Sequence, residues 1–368
     1  MKRIRLALIY GGRSSEHEVS LRSARSIAAA LDREKYEPIL IGIDPTGRWH
    51  LHSEREFERI TGVSLGQVSG STPEVALTPA PKQGELLPLG GSQDSVARVD
   101  VAFPVLHGQY GEDGTVQGLL ELAEVPYVGS GVLGSALGID KDVQKRLLRD
   151  ASLPVVDYVV LRPRDWQHGR GEARRRAEEL PYPVFVKPAN LGSSVGVTKV
   201  HEAAELDAAI EVAFSFDDKI LIERGIDARE IECSVLGNEF PEVSVAGEVC
   251  PTDEFYSYEA KYVNENGATF IIPAPLSAEL AERIRSMAAA AFHAIECEGM
   301  ARVDFFLERG SDRVYVNELN TIPGFTSISQ YPKLWEASGL SYPALLDRLI
   351  QLALDRHDRR ARLRTDRG

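Results

Sequence analysis

Ile4–Tyr10, a mostly apolar and β-branched run that stops at Gly11-Gly12, constrains this chain more than any other segment. It reads as a buried first strand. Ser15-Glu16-His17-Glu18 matches a capping box with Ser15 as N-cap and Glu18 at N3, which predicts a helix running to about Leu31. Leu21, Ala24, Ile27, Ala28 and Leu31 fall on one face of that helix. Pro38–Ile43 is the next apolar run. A strand, a helix and a second strand in this order make a crossover unit, so the chain must open on a parallel sheet of an α/β protein. Val99–Leu106, ending at His107-Gly108, adds another buried strand, and Pro126–Gly134 looks like the close of this unit. Residues 52–98 are mixed in polarity and predict little.

The chain has 368 residues, too many for one ordinary core. Three domains are expected, at 1–136, 137–224 and 225–368. In the second, a helix at Asp140–Ala151 precedes strands at Val155–Leu161, Val184–Lys187 and Ile220–Glu223. In the third, longer alternating strands combine with helices at about Ala278–Ala294 and Tyr342–Leu354. A formal net charge of -13 argues against nucleic acid or an anionic membrane as partner, since either needs a basic face. Phosphates of a nucleotide remain possible, because a few local groups meet them. Cys233, Cys250 and Cys297 are odd in number and form no CxxC pair, which fits a reducing compartment without disulfide or zinc. The apolar run after Lys2, Arg3 and Arg5 is too short for a signal peptide, and no stretch reaches the ~20 residues of a membrane span. A soluble, cytoplasmic protein is expected. Arg356, Arg359, Arg360, Arg362, Arg364 and Arg367 read as a solvated, partly disordered tail.

Ala301–Glu308 and Val314–Asn320 are two strand-like runs joined by the turn-rich Arg309–Arg313. A hairpin centred near Ser311 sets Asp304 opposite Glu318 and Arg302 opposite Asn320, all four on one face. Facing carboxylates repel, so folding alone gives no reason to pair them. A hard divalent cation removes the conflict, and Asp304, Glu318 and Asn320 offer the oxygens that Mg²⁺ accepts. A water-tolerated carboxylate pair on an exposed face is the competing reading. It leaves unexplained why Asn320 leads straight into Thr321-Ile322-Pro323-Gly324-Phe325, a loop shaped for close approach.

Val184–Pro188 places Lys187 at the end of a buried strand, followed by Gly192-Ser193-Ser194-Val195-Gly196. Such a loop can fold its N–H groups over phosphate oxygens while the lysine supplies charge. By itself the loop fits an ordinary hairpin equally well. Neither a Walker A sequence nor a GxGxxG fingerprint is present. Lys141 taken alone is equally compatible with a surface lysine, and Glu223 and Glu230 could accept from a nucleoside or simply end strands in water.

In order along the chain, these elements resemble those of the ATP-grasp ligases, and more closely the D-alanine–D-alanine ligases. The resemblance covers nearly the whole length. It rests on Gly11-Gly12-x-Ser14-x-Glu16-x-Glu18-Val19-Ser20-Leu21, His107-Gly108-x-x-Gly111-Glu112-Asp113-Gly114 and Lys187-Pro188 with Gly192–Gly196. It continues through Phe255–Tyr262, Arg302-Val303-Asp304 and Glu318-Leu319-Asn320-Thr321-x-Pro323-Gly324. The resemblance implies a three-domain ATP-grasp fold with ATP between the central and C-terminal sheets, and a homodimer formed through the first domain. It implies two Mg²⁺ (or Mn²⁺) ions, one on Asp304 and Glu318, the other on Glu318 and Asn320. Lys141, Lys187 and Lys261 would meet phosphates, with Ser193 and Ser194 in the loop above them. Glu223, the backbone at Arg224–Ile226, Glu230 and Phe306 would form the nucleoside pocket. Glu16 would bind the first D-alanine ammonium, with His107 nearby. Arg302 and the Gly324 N–H would stabilise the oxyanion, and Ser329 would bind the second carboxylate. Tyr262 would join Ser193 and Glu16 in a hydrogen-bond array, tying a mobile loop at 251–267 to the first domain.

The implied chemistry suits the residue types. A carboxylate is a poor electrophile until phosphoryl transfer gives it a leaving group, and that transfer needs positioning and cationic neutralisation. An attacking amine then creates an oxyanion that donors such as Arg302 can hold. Formation of a D-alanine–D-lactate ester, another ATP-grasp carboxylate–amine ligation and a silent nucleotide-binding regulator are the alternatives. The regulator would be expected to lack one of Lys187, Arg302, Asp304 or Glu318, and all four are present.

Overall fold

The N-terminal pattern produces the crossover it requires. In the computed structural model, which describes residues 2–62, 72–80, 84–90, 96–251 and 268–364, β1 (Ile4–Gly11) pairs in parallel with β2 (Tyr36–Ile43) across helix α1 (His17–Ala30). β3 (Trp49–His52) adds an antiparallel edge to β2. The segment read as featureless holds α2 (Glu54–Ile60) and a small sheet of β4 (Val75–Leu77), β5 (Glu85–Pro88) and β6 (Ala97–Arg98). β7 (Val101–Pro104) then pairs in parallel with the other side of β1, giving the order β3-β2-β1-β7. Leu21, Ala24, Ile27, Ala28 and Leu31 are buried as their spacing predicts. Each of the larger ones contributes about 1.5–3 kcal/mol by leaving water.

The expected capping box at Ser15 does not form. The N-cap is Glu16, with no side-chain cap bond. Ser14 instead fixes this turn, its hydroxyl accepting from the Glu16 N–H at 3.1 Å and donating to the His107 carbonyl at 2.7 Å. The Glu16 carboxylate is thereby turned away from the helix.

After α3 (Thr115–Leu122) and α4 (Val132–Ile139), α5 (Lys141–Asp150) starts at Asp140, whose carboxylate accepts from the Val143 N–H. β8 (Tyr158–Leu161), α6 (Pro163–Glu178), β9 (Val184–Pro188), β10 (Thr198–Val200), α7 (Leu206–Phe214) and β11 (Ile220–Arg224) follow. Their strands form an antiparallel sheet, β10-β9-β11-β8, packed against Trp166, Ala173, Leu206 and Ile210 of the two helices.

The third sheet comprises β12 (Ala228–Gly237), β13 (Glu242–Val243), β14 (Gly247–Pro251), β15 (Ala268–Ile271), β16 (Gly299–Glu308) and β17 (Val314–Asn320). Its order is β15-β14-β12-β16-β17 with β13 on β12, and α8 (Ala278–Ala294) covers one face through Ile284, Ala288 and Phe292. α9 (Gln330–Ala337) and α10 (Tyr342–Ala361) return to the first sheet. There Phe325, Tyr331, Trp335 and Leu345 share a core with Leu8, Tyr10, Leu21 and Phe103. As far as Ala361 the arginine-rich end is therefore no free tail, and Arg367 lies outside the described residues. α10 runs on to Ala361, and the buried Arg356 donates to the Tyr127 carbonyl at 2.7 Å while stacking 4.3 Å from the Tyr127 ring.

Candidate active site

Arg302 lies opposite Asn320 and Asp304 opposite Glu318, the register expected from sequence. A β-bulge achieves it. Phe305 pairs with Val316, so Asn317 is the extra residue, and the strand changes phase between Val316 and Leu319. Val314, Val316 and Leu319 can all point into the core while Glu318 and Asn320 face the cleft. The odd spacing of those apolar residues was the sequence signal for this irregularity. Arg302 answers the charge, donating from two nitrogens to both Asp304 oxygens at 2.7 Å and lying 3.4 Å from Glu232. Burial alone would favour loss of its proton, but Asp304, Glu232 and Glu318 hold the guanidinium well above its ordinary value. Asn320 donates to Asp304 at 3.0 Å.

α5 faces this strand. Lys141 donates to the Leu191 carbonyl at 2.6 Å and lies 3.4 Å from the Glu318 carboxylate, so it is not a surface lysine. One turn on, the fully buried Lys145 reaches Glu223 at 2.8 Å, and Lys187 reaches the other Glu223 oxygen at the same distance. Burial pushes the Glu223 carboxyl up, but the two ammoniums overcome this and hold it below its ordinary value. Lys145 was missed in the sequence, although its i+4 spacing from Lys141 on a capped helix was readable.

The cleft over the third sheet is lined by Glu16, His107, Ser193, Glu230, Arg302, Asp304, Phe306, Glu318, Asn320, Gly324 and Ser329, together with Glu112 and Glu232, which sequence reasoning had not placed there. The buried Glu16 carboxylate accepts from the Ser193 hydroxyl. Ser193, Ser194 and Gly196 have φ of 52°, 59° and 71°, a left-handed run that curls the loop above the cleft. Gly324 is required locally, since a Cβ there would come within 2.7 Å of the Ser329 hydroxyl. His107 packs between chain segments: its Nδ1 lies 3.0 Å from the Ile322 carbonyl and its Nε2 3.4 Å from the Ser23 hydroxyl. Burial keeps this imidazole below its ordinary value and hence neutral. Glu112 accepts from the Gly108 N–H at 2.6 Å; burial and the nearby Glu16 push its carboxyl up to about 8.

Glu230 stands directly across from Phe306 in the strand pairing. Lys141, Lys187, Ser194, Glu223, Arg224 and Ile226 are not on the cleft wall itself. Lys187 and Glu223 lie on adjacent strands of the central sheet, opposite Leu221 and Phe185, and Arg224 and Ile226 lie in and after β11, where the Arg224 N–H donates to the Asp157 carbonyl. Lys261 and Tyr262, with the loop at 251–267 except Pro251, lie outside the described residues. No three His, Cys, Asp or Glu side chains converge on a metal cage among the described residues. Asp304, Glu318 and the Asn320 amide are a partial oxygen set, suited to a cation that takes its other ligands from phosphate and water.

A lysine-bearing antiparallel sheet and a Ser–Gly loop on one side, facing a carboxylate hairpin on the other, define an ATP-grasp ligase. Comparison with known proteins narrows the class. The family described as "D-ala D-ala ligase N-terminus" matches residues 5–130, and "D-ala D-ala ligase C-terminus" matches residues 147–351. A D-alanine–D-alanine ligase of Solibacter usitatus is 51% identical over 355 residues, covering 96% of this chain and 97% of that protein. One from a Thermoanaerobacter species is 48% identical over 362 residues, covering 98% and 99%. Among solved structures, the D-alanine–D-alanine ligase of Coxiella burnetii superposes with a TM-score of 0.83 at 38% identity, covering 98% of this chain and 97% of that one. The VanG D-Ala:D-Ser ligase of Enterococcus faecalis gives 0.84 at 37%, covering 96% and 100%. The chain belongs to the D-alanine–D-alanine ligase family, and ATP use comes with that membership.

Proposed function

We propose that this enzyme joins two D-alanine molecules into D-alanyl-D-alanine for peptidoglycan precursor synthesis, converting ATP to ADP and phosphate. The observation that carries this reading is the hairpin face, where Asp304 meets Glu318 beside Arg302 and opens on the cleft that holds Glu16. In this reading residues 1–136, 137–224 and 225–368 act as three domains, with ATP between the second and third. Glu223, Arg224, Ile226, Glu230 and Phe306 hold the nucleoside. Lys141, Lys187, Lys261, Ser193 and Ser194 orient the phosphates. Asp304, Glu318 and Asn320 hold two Mg²⁺ or Mn²⁺ ions; the fit is supported by the facing carboxylates, whose repulsion Arg302 and Lys141 already relieve in part. Bound there, the cations would neutralise charge on the phosphate oxygens.

Glu16 anchors the ammonium of the first D-alanine, whose carboxylate accepts the phosphoryl group to become D-alanyl phosphate. The second D-alanine sits with its carboxylate at Ser329. Its amine, once deprotonated, attacks the acyl carbon, Arg302 and the Gly324 N–H hold the oxyanion, and phosphate leaves. His107, neutral and wedged between chain segments, supports the Glu16 wall, and Tyr262 would close it. The enzyme would work in the cytoplasm as a homodimer through its first domain. Leu122 and Leu133 are exposed on that domain. Incubation with Mg·ATP and D-alanine should yield ADP, phosphate and the D,D-dipeptide in equal amounts. Equal turnover of L-alanine, or ATP loss without amino acid, contradicts the reading.

A further inference from the structure

β17 ends its sheet, and among the described residues no strand pairs with its outer edge. Such an edge leaves backbone donors and acceptors that must be satisfied otherwise. The Pro154 carbonyl takes the Val316 N–H at 2.8 Å, and α5 serves Asn317 and Leu319 with side chains. Gln144 mimics a neighbouring strand, its Oε1 accepting from the Leu319 N–H at 3.1 Å and its Nε2 donating to the Leu319 carbonyl at 3.2 Å. The same Nε2 also donates to the Gly138 carbonyl at 2.6 Å, which fixes the amide's orientation. Lys145 donates to the carbonyl of Asn317, the extra residue of the bulge, at 3.2 Å. Its ammonium also lies 2.8 Å from Glu223 in the central sheet. With Lys141 on Glu318, three side chains at positions i, i+3 and i+4 grip three successive residues of the strand.

The placement is specific. The bulge is where β17 changes phase, and without that change Glu318 and Asn320 would not both face the cleft. A methionine at 145 would fill the same volume without desolvating an ammonium, so packing alone does not call for lysine there. We propose that Gln144 and Lys145 are positioning residues for the divalent-cation site: they fix the bulge that presents Glu318 and Asn320, and Lys145 ties that strand to Glu223 on the nucleotide side. The proposal rests on the metal reading above.

The test is Mn²⁺ binding to the ADP-loaded enzyme, followed by electron paramagnetic resonance, for the wild type, Gln144→Met and Lys145→Met. ADP affinity in EDTA, KM for D-alanine and the unfolding midpoint are measured alongside. Both variants should bind Mn²⁺ about tenfold more weakly. In Gln144→Met, metal-free ADP affinity and KM for D-alanine should stay at the wild-type values. If Lys145→Met does not fold, Gln144→Met decides. Unchanged Mn²⁺ binding in a folded Gln144→Met, a parallel loss of every parameter, or failure of both variants to fold overturns the proposal. A wild-type enzyme that binds no Mn²⁺ in its ADP complex contradicts the metal reading itself.

Discussion

The central sheet and the C-terminal hairpin carry opposite charge surpluses. In the central sheet one buried carboxylate, Glu223, sits between two ammoniums, Lys145 and Lys187. On the hairpin face Asp304, Glu318 and Glu232 gather around one guanidinium, with Lys141 reaching in from α5. The first arrangement is nearly self-satisfied and has positive charge to spare for phosphate. The second gathers three carboxylates on the face where a cation is proposed. A nucleotide–metal complex is polarised the same way. On the proposed reading, the contrast separates charges that hold the fold from charges that serve a ligand.

The same substitution should therefore act in opposite directions in the two regions. Glu223→Gln leaves two ammoniums uncompensated, and chemical denaturation should show a loss of about 3–5 kcal/mol. The loss depends on pH. The folded Glu223 carboxyl is held below its ordinary 4.5, so its contribution is complete above that pH and disappears as acid titrates the folded form. The gap between wild type and variant should narrow below pH 4.5. Glu318→Gln, by contrast, relieves repulsion with Asp304 and should leave the unfolding midpoint unchanged or raised. It should nevertheless cut turnover at least about a hundredfold, measured as dipeptide formed at saturating Mg·ATP. If Glu223→Gln proves neutral, or Glu318→Gln retains normal turnover, the division of roles fails.

Glu112 offers a finer test. Its folded carboxyl is raised from 4.5 to about 8, so the protonated form is favoured in the fold and stability falls as pH rises through that interval. Glu112→Gln should flatten the dependence of the unfolding midpoint on pH there. A wild-type profile already flat between these values contradicts the assignment.

What the sequence revealed follows from how local each feature is. The hairpin was legible because its register depends on one turn and on alternation, and the four charged or amide residues are specified by that register alone. Its bulge was not anticipated, although the uneven spacing of Val314, Val316 and Leu319 is its trace in the sequence. The spacing of Lys145 from Lys141 was readable, but the roles of Gln144 and Lys145 were not, because their partners lie on a strand far along the chain and helical spacing does not name a partner. The capping box at Ser15 was misread for a related reason: Ser14 and Glu16 are drawn to His107 and Ser193, contacts made only in the folded cleft. Arg356 read as solvated because nothing local says that α10 folds back over Tyr127.

The smallest effect expected is at Tyr262. Under the role proposed for Tyr262, losing its hydroxyl would remove one hydrogen bond to the Glu16–Ser193 pair, worth on the order of 1 kcal/mol. With D-alanine and D-lactate in competition, Tyr262→Phe should shift the product ratio several-fold toward the ester, most at acidic pH, where the amine is protonated. A ratio unchanged at every pH would make Tyr262 a packing residue.

The central claim is that the polarised cleft moves a phosphoryl group onto a carboxylate before the amine attacks. D-alanine labelled with ¹⁸O in its carboxylate tests this most directly, with the released phosphate analysed by mass. The account predicts one ¹⁸O in each phosphate, carried over when the acyl C–O bond of D-alanyl phosphate breaks. Phosphate free of label, alongside normal dipeptide formation, would contradict it.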